Sequence, residues 1–191
     1  MTTFSSDESS VGRPIHSLSH YVLQTSINSL RVGDLWADSG CVRAVGGRLS
    51  HEALKKKMAT LGIKPVMKRT HDSFQFGNGD VSEATQKALY PVFLRGEFRG
   101  LLDIAEVPPH CPMLMSKNVL KKWNVDMCFG PGCLKIQNFD VTIPFNEHDV
   151  PVVNILDVTK EQLKRQWNLI PDMCKLSNPE SNPNGNAVGC S

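Results

Sequence analysis

One short string in this chain of 191 residues has the residue types for acid–base chemistry on water: Leu35-Trp36-Ala37-Asp38-Ser39-Gly40-Cys41. A mostly apolar stretch delivers a carboxylate, a hydroxyl and a glycine in succession. The carboxylate can activate water and shuttle a proton. The hydroxyl can brace the loop, even across a dimer axis. The glycine has no Cβ, so backbone and ligand can approach closely. Two such carboxylates a few ångström apart cannot both ionise, so they share one proton and divide the roles of base and acid. Only one Asp-Ser/Thr-Gly triplet occurs in the chain. A carboxylate pair therefore calls for a second copy of the chain. By composition alone such a triplet arises in roughly one chain in ten of this length, and its bland alternative is an Asx-type turn at a strand end.

Other reactive types are weaker. Cys128-Phe129-Gly130-Pro131-Gly132-Cys133 places two thiols around a tight turn, and His110-Cys111 could add two ligands. The spacing of a four-ligand zinc site is nevertheless missing, and no metal or cofactor is expected. Cys41 would serve as a nucleophile only with a histidine beside it. Nothing in the sequence places His51, His71 or His110 there, and a small buried residue is the plainer role. The histidines form no His-x-x-x-His pair, which argues against a metallopeptidase helix.

The bulk numbers set wider bounds. With 40% hydrophobic and 21% charged residues the chain can bury a core. A net charge of +2 is too small to point to nucleic acid as partner, and Lys55-Lys56-Lys57 reads as the wet face of a helix. No apolar run approaches the ~20 residues of a membrane span, and the Ser-rich, acidic start lacks the order of a secretory signal. An intracellular, cytoplasmic protein with no membrane partner is expected. The six cysteines are then read as reduced thiols.

The elements that must hold Asp38 read as mostly β. Tyr21-Val22-Leu23 is a candidate first strand, and Leu30 to Ala37 a second ending at Asp38. Ser50 caps a helix with Ala53, Leu54, Met58 and Leu61 on one face, and Gly62 stops it. Phe74 and Phe76 lead into Gly77-Asn78-Gly79-Asp80, a strong hairpin signal. Residues 88–94 and 98–107 are strands about an Arg95-Gly96-Glu97 turn. Met113 to Met115 is a short buried strand, and Ser116 caps a helix through Trp123. Val125 to Phe129, Leu134 to Gln137, Phe139 to Phe145 and Val152 to Leu156 complete the strands. Thr159 starts a last helix that ends before Pro171. Trp36, Trp123 and the phenylalanines read as core.

In that order, four landmarks resemble a known family. They are Asp38-Ser39-Gly40-Cys41-Val42-Arg43-Ala44-Val45-Gly46-Gly47, the helix of residues 51–61, Phe74-Gln75-Phe76-Gly77-Asn78-Gly79, and Pro112-Met113-Leu114-Met115-Ser116 running on to Val125. Together they span about Arg31 to Phe145. They are similar to the retropepsin-like aspartic peptidase domains of retrotransposon polyproteins and, more distantly, to the peptidase domain of ubiquitin-shuttle proteins. Where many retropepsins carry a glycine after the apolar pair of the fourth landmark, this chain has Ser116.

The resemblance implies a mostly β, retropepsin-like closed barrel (the acid-protease fold) with one or two short helices. It also implies an aspartic endopeptidase, a hydrolase of peptide or polyprotein substrates, built as a homodimer. Asp38 is then the catalytic carboxylate, with Ser39 and Gly40 supporting its loop. Phe76, Gly77, Asn78 and Gly79 belong to a flap over the substrate. The domain is expected over residues 20–157, after a disordered arm at 1–19 and before a short helix and disordered tail at 158–191. The rival expectation is a catalytically inactive dimerisation or peptide-binding module on the same fold.

Overall fold

The computed structural model describes residues 30–76, 79–108 and 111–177. By its internal contacts the chain divides at Leu30, and the account below concerns the body that begins at Arg31. The expected arm, the strand at Tyr21, the Gly77-Asn78 tip and the tail from 178 lie outside the described residues.

Those residues are mostly β. Strands β1 (Asp34–Asp38), β2 (Val45–Gly47), β3 (Val66–Gln75), β4 (Val81–Leu94), β5 (Glu97–Val107), β6 (Leu114–Ser116) and β10 (Val152–Asn154) form one sheet. Its order is β10-β1-β6-β2-β5-β4-β3. Strands β7 (Val125–Cys128), β8 (Cys133–Ile136) and β9 (Val141–Pro144) form a second, three-stranded sheet. The helices are α1 (Arg48–Ala59), α2 (Lys117–Trp123) and α3 (Lys160–Arg165), with 3-10 turns at Gln137–Phe139, Trp167–Leu169 and Asp172–Cys174.

β6 lies between β1 and β2, parallel to the first and antiparallel to the second. A strand from some 70 residues downstream thus separates two strands that are neighbours in sequence, and the loop between them crosses over its end. This crossing holds Asp38 in place. The strand carrying it starts at Asp34, later than the apolar pattern suggests. Gly33 takes φ +99°, and the Asp34 carboxylate accepts the Arg31 N–H at 2.8 Å, so the chain is still turning there. Asp34 is buried and also accepts from the Asn154 amide at 2.7 Å, which ties β1 to β10.

Helix α1 begins at Arg48, directly out of β2, without a side-chain cap. Ser50 is not its cap: it sits in the first turn, and its hydroxyl reaches the Cys111 carbonyl at 3.5 Å. The inward stripe is His51, Leu54 and Met58, while Ala53 stays exposed. Ser116 does cap α2, its hydroxyl accepting the Val119 N–H. Thr159 and Gln162 form a reciprocal capping box on α3. The hairpin between β4 and β5 closes through Arg95 and Gly96 at φ 53° and 80°. Two such residues in succession match the strand twist.

Two apolar clusters fill the body. The larger includes Leu35, Leu54, Met58, Tyr90, Phe93, Met115, Leu134 and Ile155. The smaller comprises Val45, Phe74, Ala84, Ala105 and Val107, with Cys41, Phe76, Cys111 and Leu114 packed against it. Leu163, Ile170 and Cys174 belong to the larger cluster, so the chain past Asp157 shares the core of the strands before it. Phe129 departs from its core reading. It is 74% exposed, because it sits at the tip of the Gly-Pro-Gly hairpin, with Phe145 edge-on beside it. The expected Phe139 strand begins two residues late, after Asp140 takes φ 52°.

Candidate active site

Asp38 ends β1 opposite Ser116 of β6. Strand alternation places Leu35 and Ala37 against the larger core, and leaves Trp36 and Asp38 on the other face. Asp38 is half-buried, and Ser39 and Gly40 are exposed. Its Oδ1 accepts the Gly40 N–H at 2.8 Å, and its carbonyl accepts the Cys41 N–H at 3.4 Å. The triplet is therefore a turn that holds its own carboxylate. A Cβ on Gly40 would lie 3.2 Å from Oδ1, tight enough to push the carboxylate aside.

The loop beyond is fixed at several points. The Cys41 carbonyl accepts the Lys117 N–H at 2.7 Å, so the turn rests on the start of α2. Arg43 pairs with Asp72 on β3. Asp72 follows a bulge between Arg69 and Asp72, and its other oxygen accepts the Thr70 hydroxyl at 2.7 Å. The loop after Asp38 is thus joined to the hairpin of β3 and β4. That hairpin closes through Phe76 and Asp80: the Phe76 N–H donates to the Asp80 carbonyl at 2.9 Å and the Gly79 N–H to the Phe76 carbonyl at 2.9 Å. Gly79 takes φ +88° in open space. Phe76 packs against the same small cluster as Cys41.

Of the residues singled out in the sequence, Asp38, Ser39 and Gly40 form one turn, and Phe76 and Gly79 share the end of one hairpin. Gly77 and Asn78 lie outside the described residues. Cys41 has no character of a nucleophile. Burial, then the Asp38 charge, push its thiol above the ordinary range. Cys111 is pushed up to about 12 by burial and by Cys41 and Asp38. A protonated thiol attacks poorly. Cys128 and Cys133 face each other directly across β7 and β8, and all five described cysteines are free. Among the described residues, no group of three or more His, Cys, Asp or Glu is placed to hold a metal ion, and no helix is long and apolar enough to cross a membrane.

Two features of the site had no sequence signal. The Arg43–Asp72 pair joins positions 29 residues apart. His51, read from spacing only as an unplaced histidine, is fully buried against β2, the strand that the Asp38 loop runs into: a Cβ on Gly46 would lie 3.3 Å from its Nε2.

No family model and no curated protein matches the chain. Among solved structures, it is similar to the retroviral protease-like domain of Ddi1 from Leishmania major, with 17% identity and a TM-score of 0.36, over 64% of this chain and 85% of that domain.

Proposed function

We propose that this chain is an aspartic endopeptidase of retroelement origin, with a retropepsin-like closed β-barrel, acting on peptide bonds as a homodimer. One observation carries the reading. Asp38 stands at the end of a strand that is buried at Asp34 and Leu35 and half-buried beyond, its carboxylate held by the Gly40 amide and flanked by exposed Ser39 and Gly40. A second copy meeting this face across a two-fold axis brings its own Asp38 to the first. The pair then shares one proton. The ionised member takes a proton from a water held between them as it attacks the peptide carbonyl. The protonated member donates to the oxygen that becomes negative, and the proton is later delivered to the leaving amine. This is the division of labour of a carboxylate pair that shares one proton. The hairpin ending in Phe76 and Gly79 covers the substrate.

The test uses the full chain, a peptide library from about pH 4 to 7, and sedimentation. The expected result is cleavage that rises with dimer population. Asp38→Asn should lose about 10²–10⁴-fold of it, the scale of acid–base catalysis, while still forming the dimer. Equal cleavage by Asp38→Asn sinks the assignment. A stable dimer with no turnover at high concentration favours the non-catalytic binding module instead.

A further inference from the structure

His51 does no work in the proposed chemistry, yet it is fully buried where four elements meet. It projects from α1. Its Nε2 lies 3.2 Å from the Ala105 carbonyl of β5. A carbonyl can only accept, so Nε2 carries the proton. Nδ1 is then a bare acceptor, and the Tyr90 hydroxyl of β4 donates to it at 2.7 Å. Burial pushes the Tyr90 phenol up, so that donor keeps its proton. On the remaining side stand Gly46 of β2 and Met113, whose Cγ would lie 2.9 Å from a Cβ on Gly46. Neither brings a charge. The charged groups that act on the ring are Glu106 of β5, which favours a proton, and Lys55 of α1, which opposes one. These two pair with each other at 3.3 Å, so neither is a free counter-ion. Desolvation is the largest influence and lowers the pKa of His51.

A second proton on His51 has only one place to go, Nδ1, where it confronts the Tyr90 hydroxyl. That hydroxyl must then turn its own proton away within the core, while an uncompensated charge sits in apolar surroundings. We propose that His51 is an acid-sensitive clamp behind β2: neutral, it fastens α1 to β4 and to Ala105 of β5, whose N–H in turn holds the Ala44 carbonyl at the end of the Asp38 loop at 3.0 Å, and protonated, it releases them. The sign follows from linkage. The unfolded chain takes up this proton near the ordinary histidine value of about 6.5, and the folded chain only at lower pH. Stability from His51 is therefore fully present above about pH 6.5 and is lost as pH falls below it. For the peptidase reading, on which this consequence rests, the acid limb of activity falls where native His51 takes up its second proton, below the ordinary histidine value.

The experiment follows thermal melting of the full chain from pH 7.5 to 5.0, for wild type and His51→Gln, whose amide can bond but not charge. Wild type should lose about 3 °C or more beyond the loss shown by His51→Gln, on the usual scale for a body of this size. Parallel loss in both overturns the clamp. Nitrogen-detected NMR of the wild-type imidazole gives a second reading that needs no variant. A single Nε2–H tautomer that persists where an ordinary imidazole titrates, about 6.5, is expected, and an ordinary titration there overturns the proposal. In peptide assays, His51→Gln should extend cleavage to lower pH. An unchanged acid limb removes the link to activity. Absence of cleavage at every pH counts against the Asp38 reading, and melting and NMR still decide the clamp.

Discussion

Asp38 owes its disposition to its immediate neighbours. The carboxylate is held by an amide two residues on, and that amide belongs to a glycine whose missing Cβ leaves the room. This makes Gly40 a positioning residue with a specific cost of change. Gly40→Ala should move Oδ1 by a few tenths of an ångström and lower kcat/KM by about 10- to 100-fold, since small misplacements of reacting groups are expensive. The loop is exposed, so the melting temperature should move little. Steady-state kinetics beside melting curves check this, and an alanine variant with full activity contradicts the role. Cys41 illustrates the opposite case. Its type and place beside Asp38 were visible in the sequence, but burial and the neighbouring charge keep its thiol protonated.

At the level of elements, the notable object is the long hairpin of β3 and β4. It is attached to the Asp38 loop twice, by Phe74 and Phe76 at the small cluster and by Arg43 with Asp72. The ion pair is largely exposed on the arginine side, so it contributes under about 1 kcal/mol and weakens with salt. Its effect should be local. Arg43→Gln is expected to raise amide hydrogen exchange over residues 73–83 several-fold, leaving β1 and α1 unchanged. The exchanged pair, Arg43→Asp with Asp72→Arg, should restore protection. If exchange in the hairpin is unaltered, the apolar cluster alone holds it. The turn signals of this hairpin and of Arg95-Gly96 were legible because positive φ selects for few residue types. The Ser50 cap was misread because Gly47 hands the chain from strand to helix with no room for a separate capping residue.

Across the molecule, the core reaches past the expected boundary at residue 157. Leu163, Ile170 and Cys174 are almost wholly buried. Gln166 accepts the Phe98 N–H at 2.7 Å, and Lys64 donates its N–H to the Cys174 carbonyl at 2.8 Å. Leu163 and Ile170 at about 2 kcal/mol each, with Cys174 beside them, amount to a large part of a domain's net stability, about 5–15 kcal/mol. A chain ending at residue 157 should therefore show no cooperative melt, whereas one ending at 177 should melt like the full chain. Identical melting of the two would show the segment to be dispensable.

Sequence alone determined the local matters: a carboxylate, hydroxyl and glycine at the end of an apolar strand, the cap of α2 and the start of α3, the hairpin turns, and a mostly β body. These depend on backbone dihedrals and alternation over a few residues. Only the tertiary structure decided that β6 divides β1 from β2, that Arg43 meets Asp72, that residues 159–176 complete the core, and that His51 has both ring nitrogens engaged. Each is a contact between segments far apart in the chain. Its energy comes from burial and register rather than from any residue's own preference.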